Sequence, residues 1–210
     1  MSAVLEDEGQ FLSSIDFQEN LWREYPDSPQ VTSSYFALSQ AIYSKVPEVS
    51  QLAKAERQIP LLKDQSEPVS TRKITKLDLL KETVLMLAQF LTLYPGDPLA
   101  DDACFSMANV FLDLEDFSTV VKLCRAAQKR YPKSEYLTSF QYVEALGFFS
   151  QHDYGEAVEA AKVVANGKSK DRDLARYILG QIYHAQGKPE TAIDWYKKVE
   201  KTYPDAQMRM

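Results

Sequence analysis

The feature that most limits what this chain can fold into is a recurring Tyr-Pro. It stands at Tyr25-Pro26, Tyr94-Pro95, Tyr131-Pro132 and Tyr203-Pro204. The steps between these prolines are 95 − 26 = 69, 132 − 95 = 37 and 204 − 132 = 72, so two steps are about twice the other. Halving the first puts a mark near residue 60, where Pro60 stands. Halving the last puts one near residue 168, inside Asn166-Gly167-Lys168-Ser169-Lys170, and Asn-Gly stops a helix without a proline. Proline cannot continue a helix, and it drives the residue before it out of α geometry. A proline at fixed phase therefore closes the second helix of a pair, every 34 to 37 residues along this chain. A period of that size means stacked helical units.

The segment Leu174–Tyr203 shows what lies between two marks. Two apolar-periodic runs flank Gln186-Gly187-Lys188-Pro189. Gly180 and Ala192 give each run one small residue, and Leu179, Tyr183, Tyr196 and Val199 supply the bulk. Small against large at facing positions lets two antiparallel helices approach closely. With Pro204, these positions resemble the tetratricopeptide repeat, a helix–turn–helix unit of about 34 residues. Two upstream units follow in the same phase. One carries Ala108, Phe111, Phe117, Val120, Cys124, Ala127 and Pro132; the other carries Ala145, Phe148, Tyr154, Ala157, Ala161 and Val164.

The resemblance implies an all-α fold. It would be a TPR-like α-solenoid, a right-handed superhelix of antiparallel helix pairs, with about five units. Residues 74–210 form its regular part: a long helix over 74–94 and units over 101–132, 135–167 and 172–204. Residues 1–73 form a degenerate N-terminal helical region, with a shorter pair at Ser33–Lys45 and Pro47–Arg57 and a loop over 60–73. Gly9, Phe11, Leu21 and Pro26 trace a second helix whose first helix is missing, so the chain reads as a segment of a longer repeat protein. The Tyr-Pro-Asp, Tyr-Pro-Gly and Tyr-Pro-Lys endings look like bacterial envelope members of the family. Those include periplasmic coordinators of the Tol–Pal system and lipoproteins of the outer-membrane barrel-assembly machine.

Composition narrows the chemistry. A formal net charge of −6 is a poor match for phosphate backbones, so no nucleic acid is expected. No run approaches the ~20 apolar residues of a membrane span, so no direct insertion is expected. The acidic start has neither region of a signal peptide, which leaves the cytoplasm or, after removal of a leader, the bacterial periplasm. The two histidines, His152 and His184, lie about one repeat apart, and no metal-ligand spacing surrounds them. Phosphate loops and nucleophile elbows are also missing from the sequence. We therefore expect no enzyme, no cofactor and no metal. Glu115-Asp116 and the pair Asp171 and Asp173 fall between helices and read as solvated turn and N-cap residues. Cys104 and Cys124 read either as small buried hydrophobes or as a helix-to-helix disulfide.

In the family the chain resembles, first helices line a concave groove. Carried onto this sequence, one lining position holds Phe105, Tyr142 and Tyr177, and another holds Leu112, Phe149 and His184. Asn109, Leu146 and Gln181 lie between them. These aromatics read either as an exposed ladder or as side chains partly sunk in the core. Asp102, Phe105 and Ser139 stand where some members carry basic groups that clamp a terminal carboxylate, which speaks against that subtype. The expected function is a non-catalytic protein–protein interaction scaffold, a segment or subunit of a larger assembly that holds a protein, peptide or helix in the groove. The alternative is a structural, self-associating segment of a multi-repeat envelope protein.

Overall fold

The computed structural model describes residues 30–48 and 75–200, together with Asn20, Glu24, Tyr25 and Ser28. These described residues form eight α-helices and one 3-10 turn, with no strand among them. The helices are α1 (Val31–Ser44), α2 (Lys76–Leu93), α3 (Ala100–Asp113), α4 (Phe117–Arg130), α5 (Leu137–Ser150), α6 (Tyr154–Ala165), α7 (Arg172–Ala185) and α8 (Pro189–Glu200). The chain divides into two compact units, Met1–Val110 and Phe111–Met210.

In the first unit, α2 is the long helix predicted over 74–94. It starts where Thr75 accepts a hydrogen bond from the Asp78 backbone N–H while the Asp78 side chain accepts from the Thr75 N–H. This reciprocal box satisfies two of the orphan donors at a helix start. The helix stops at Tyr94, before Pro95, as proline requires. Leu80, Leu87 and Phe90 of α2 and Ile42 of α1 are fully buried. Residues 80, 83, 87 and 90 recur at helical spacing, so one face of α2 supplies the core. The Phe36 ring of α1 lies 6.3 Å from Phe90. Gln40 Nε2 donates to Ser106 Oγ at 2.8 Å, tying α1 to α3 within this unit.

The predicted second helix at Pro47–Arg57 differs from what is found at its start, where Val46–Glu48 is a single 3-10 turn. Pro47 removes a backbone donor at that point. The rest of that helix, the loop over 60–73, and the marks at Gly9, Phe11, Leu21, Pro26, Pro60 and Pro204 lie outside the described residues.

In the second unit the period is written into the backbone. Glu115, His152 and Gly187 all take positive φ, at 58°, 62° and 72°. They are spaced 152 − 115 = 37 and 187 − 152 = 35 residues apart. Each stands in the turn between the two helices of a unit. The next residue closes the same bond every time: Asp116 N–H to Phe111 O, Asp153 N–H to Phe148 O, and Lys188 N–H to Tyr183 O. This is a left-handed helix ending that returns orphan carbonyls to a partner. Asp116 and Asp153 then cap the following helices through the backbone N–H groups of Thr119 and Glu156.

Successive helices α4 to α8 pack as sequence neighbours, and α5 also touches α7 directly. Their core holds Ala145, Ala157, Ala161, Ala175, Ile178, Leu179 and Ile182. Alanine dominates it because first and second helices must approach closely. Burying each of the larger aliphatic chains contributes about 1.5–3 kcal/mol.

Candidate functional site

Tyr142, Leu146 and Phe149 on α5 are separated by four and three residues, as are Tyr177, Gln181 and His184 on α7. Each set therefore forms one stripe along its helix. Because α5 touches α7, the two stripes belong to neighbouring helices of one unit. All six side chains are half-buried except His184, which is exposed. Phe105, Asn109 and Leu112 form the same stripe on α3 and are half-buried too. Phe105 and Asn109 fall in the first unit, Leu112 in the second. The Asn109 amide is bound to its own helix, donating to the Phe105 carbonyl at 3.0 Å.

The aromatics are neither a free ladder nor plain core. Tyr142, Leu146 and Phe149 lean on the buried cluster of the second unit. The Phe149 ring lies 6.1 Å from Tyr154, and Tyr177 lies 5.6 Å from Tyr196. One edge of each therefore rests against a second-helix aromatic while the rest meets solvent. Burial raises the Tyr142 phenol above its ordinary value, with further contributions from Asp171 and Tyr177. Tyr196 is raised in the same sense, by burial and then by Tyr177.

Asp171 corrects the sequence reading. It does stand at the N-cap position of α7, but its side chain makes no cap bond. It is not solvated either, being only 8% exposed. Its Oδ2 accepts from Thr138 Oγ1 and Ser139 Oγ, each at 2.8 Å. Those hydroxyls begin the same α5 stripe that continues to Tyr142. The bonds span 33 and 32 residues, close to one repeat, so the period itself carried the signal. Residues one period apart in stacked units lie side by side.

The opposite face of α5 is committed elsewhere. Glu144 is buried and accepts from Arg125 Nε at 2.7 Å and Gln128 Nε2 at 2.6 Å. Arg125 also reaches Glu156 at 2.8 Å and lies over the Phe148 ring at 4.8 Å. One guanidinium thus joins α4, α5 and α6, and it fixes the rotation of α5 about its axis. That rotation turns the 142, 146 and 149 stripe the other way, since residue 144 lies roughly 200° round the helix from 142 and from 146.

Glycines set the closest approaches. A Cβ on Gly180 would collide with the Tyr196 ring, so the α7–α8 pair closes only because that atom is missing. A Cβ on Gly147 would meet Val121 at 3.0 Å and Val120 at 3.3 Å, across the α4–α5 junction.

Chemistry is sparse. His152 Nδ1 lies 3.1 Å from the Tyr154 hydroxyl. Among the described residues no group of three His, Cys, Asp or Glu side chains could hold a metal ion. Cys104 and Cys124 are buried thiols. No described helix is long and apolar enough to cross a membrane.

Comparison with known proteins agrees with the repeat phasing. Residues 142–207 match the family model described as tetratricopeptide repeat. Solved structures with the same fold include a MamA RS-1 double mutant, with TM-score 0.61 and 11% identity over 96% of this chain and 89% of that one. A putative kinesin light chain from Podosopora anserina with nearly identical TPR-like repeats gives 0.57 and 17% over 96% and 90%. MamA from Desulfovibrio magneticus RS-1 gives 0.53 and 14% over 84% and 97%. The all-helical repeat fold expected from the Tyr-Pro period is the fold found, and the tetratricopeptide resemblance holds over the matched residues.

Proposed function

From the tetratricopeptide repeats of its C-terminal part, we propose that this protein is a non-catalytic scaffold that holds a protein or peptide against the α5–α7 face. The observation that carries the reading is the paired stripe of half-exposed aromatics, Tyr142 and Phe149 on one helix and Tyr177 on the next. Aromatic rings supply large contact area at low entropy cost. Phe149 and Tyr177 are already seated on Tyr154 and Tyr196, so little ordering of those two rings is left for binding to oppose. The opposite face of α5 is occupied by the Glu144 network, which leaves this face as the one with side chains available.

The test is capture of a partner from lysate with the wild-type chain and with Tyr142→Ala plus Tyr177→Ala. Both stripes lose their ring, and the reading expects the partner band to disappear while helical content and the cooperative melt persist. Undiminished capture by the folded double variant would remove the face from consideration.

A further inference from the structure

Among the described residues of the second unit two carboxylates are buried, Glu144 and Asp171, and they are treated differently. Glu144 has Arg125 as its counter-charge at 2.7 Å. Asp171 has two neutral hydroxyls, from Thr138 and Ser139, and no cation among the described residues. The nearest cations in sequence contact other groups, although the buried Arg172 Nε has no hydrogen-bond partner. Arg172 and Arg176 lie 3.5 and 3.0 Å from Asp173, and Arg176 also donates to the Ala165 carbonyl at the end of α6. Lys170 lies over the Tyr136 ring at 5.0 Å. Of the stripe residues, Ser139, Tyr142, Leu146 and Phe149 on α5 and Tyr177 and Gln181 on α7 are uncharged, and the only group able to take a positive charge is His184, two turns from Tyr177 at the other end of the α7 stripe.

The face thus places one buried carboxylate a helical turn from the Tyr142 ring, through Ser139, and Tyr142 in turn lies near Tyr177. A buried charge held only by neutral donors keeps an unspent attraction for a cation, and in a low-dielectric setting that attraction reaches across several ångströms. The negative face of a tyrosine ring attracts the same kind of group. A cation seated on Tyr142 and Tyr177 would feel Asp171 without displacing the two hydroxyls. We infer that the α5–α7 face selects a segment carrying arginine or lysine, whose cation rests on Tyr142 and Tyr177 at the Asp171 end. This rests on the scaffold reading above and adds the chemistry of the partner to it.

The experiment uses the full chain and two fluorescein-labelled peptides of alternating leucine and residue X, with X either arginine or its neutral isostere citrulline. Fluorescence anisotropy reads both affinities. The wild-type chain is expected to prefer the arginine peptide by about tenfold, the worth of one well-placed charge-assisted contact. Asp171→Asn, which keeps an acceptor for Thr138 and Ser139, should reduce that ratio to near one while leaving the citrulline affinity unchanged. Glu190→Gln, the same charge change on the exposed start of α8, should leave the ratio intact. Equal wild-type affinities, absence of saturable arginine-peptide binding, or a ratio that survives Asp171→Asn would overturn the inference. Should Asp171→Asn fail to fold, wild type and Glu190→Gln still decide: a wild-type ratio near one, or a ratio that Glu190→Gln lowers, means bulk charge or no selectivity and overturns the inference. Failure of the scaffold reading looks different, because Tyr142→Ala plus Tyr177→Ala would then leave both peptide affinities unchanged.

Discussion

Two glycines close two different junctions, and they do it in different ways. Gly180 lies inside its own repeat, where the Tyr196 ring of α8 occupies the space a side chain would need. Gly147 lies between repeats, where α5 backs onto Val120 and Val121 of α4. At the first junction a rigid, half-buried ring fills the gap, and a Cβ on Gly180 could be admitted only by swinging that ring off α7. At the second the neighbours are methyl groups at 3.0 and 3.3 Å, which a few tenths of an ångström of movement relieves. The lesson is that tightness within a repeat is fixed by one ring, whereas tightness between repeats is shared over several small contacts and a polar clasp through Arg125.

The largest expected effect separates the two junctions. Gly180→Ala should destabilise the chain by about 1–3 kcal/mol, as overpacking in a close-fitted site does. Gly147→Ala should stay within about 1 kcal/mol of wild type, because the helix preference of alanine offsets the tighter contact. Chemical denaturation of both variants checks this. Adding Tyr196→Ala to Gly180→Ala should recover much of the loss, a coupling of at least about 1 kcal/mol between touching residues. If Gly147→Ala proves the more damaging, the contrast between the junctions is reversed.

A smaller effect concerns the turns. Glu115 and Gly187 hold equivalent positions, both with positive φ, but only glycine adopts that conformation without steric cost. Glu115→Gly should therefore raise stability by about 0.5–1 kcal/mol, and Gly187→Ala should lower it by a similar amount. Opposite signs from thermal melts would support a shared turn, and equal signs would break the equivalence. His152 is a less clean probe, because its ring also meets the Tyr154 hydroxyl.

The smallest effect is a pH dependence. Tyr142 and Tyr196 hold their protons more tightly in the folded chain than the ordinary value of 10.0. A raised folded value means the folded state binds the proton better, so the contribution is complete below pH 10 and is lost as pH rises from there through the raised value. Stability should fall above pH 10 in wild type, and less steeply in Tyr142→Phe plus Tyr196→Phe. Parallel curves for the two proteins would remove these phenols from the account.

Much of the fold was legible because proline and glycine act through the backbone alone. Pro95 and Pro132 end helices whatever surrounds them, and Gly187 announces its own turn. Glu115 and His152 adopt the same left-handed geometry without a residue that advertises it, so only the phase of the repeat could find them. Asp171 was misread for a related reason. An acid just ahead of a helix looks like a solvated cap, and nothing local reveals that Thr138 and Ser139 lie against it. The repeat length contained that neighbour, at 33 and 32 residues, but a reading along one helix at a time does not use it. The half-burial of Phe149 and Tyr177 was equally invisible, since helical spacing gives a face and not the depth at which a ring settles on Tyr154 or Tyr196.

The central claim is that partners meet the α5–α7 face and not the far side of the second helices. Photo-crosslinking in lysate tests it directly, with benzoylphenylalanine replacing Gln181 on that face or Val163 on α6, which is 60% exposed. The account predicts a partner adduct from position 181 and none from position 163. An adduct from position 163 alone, or equal adducts from both, would contradict it.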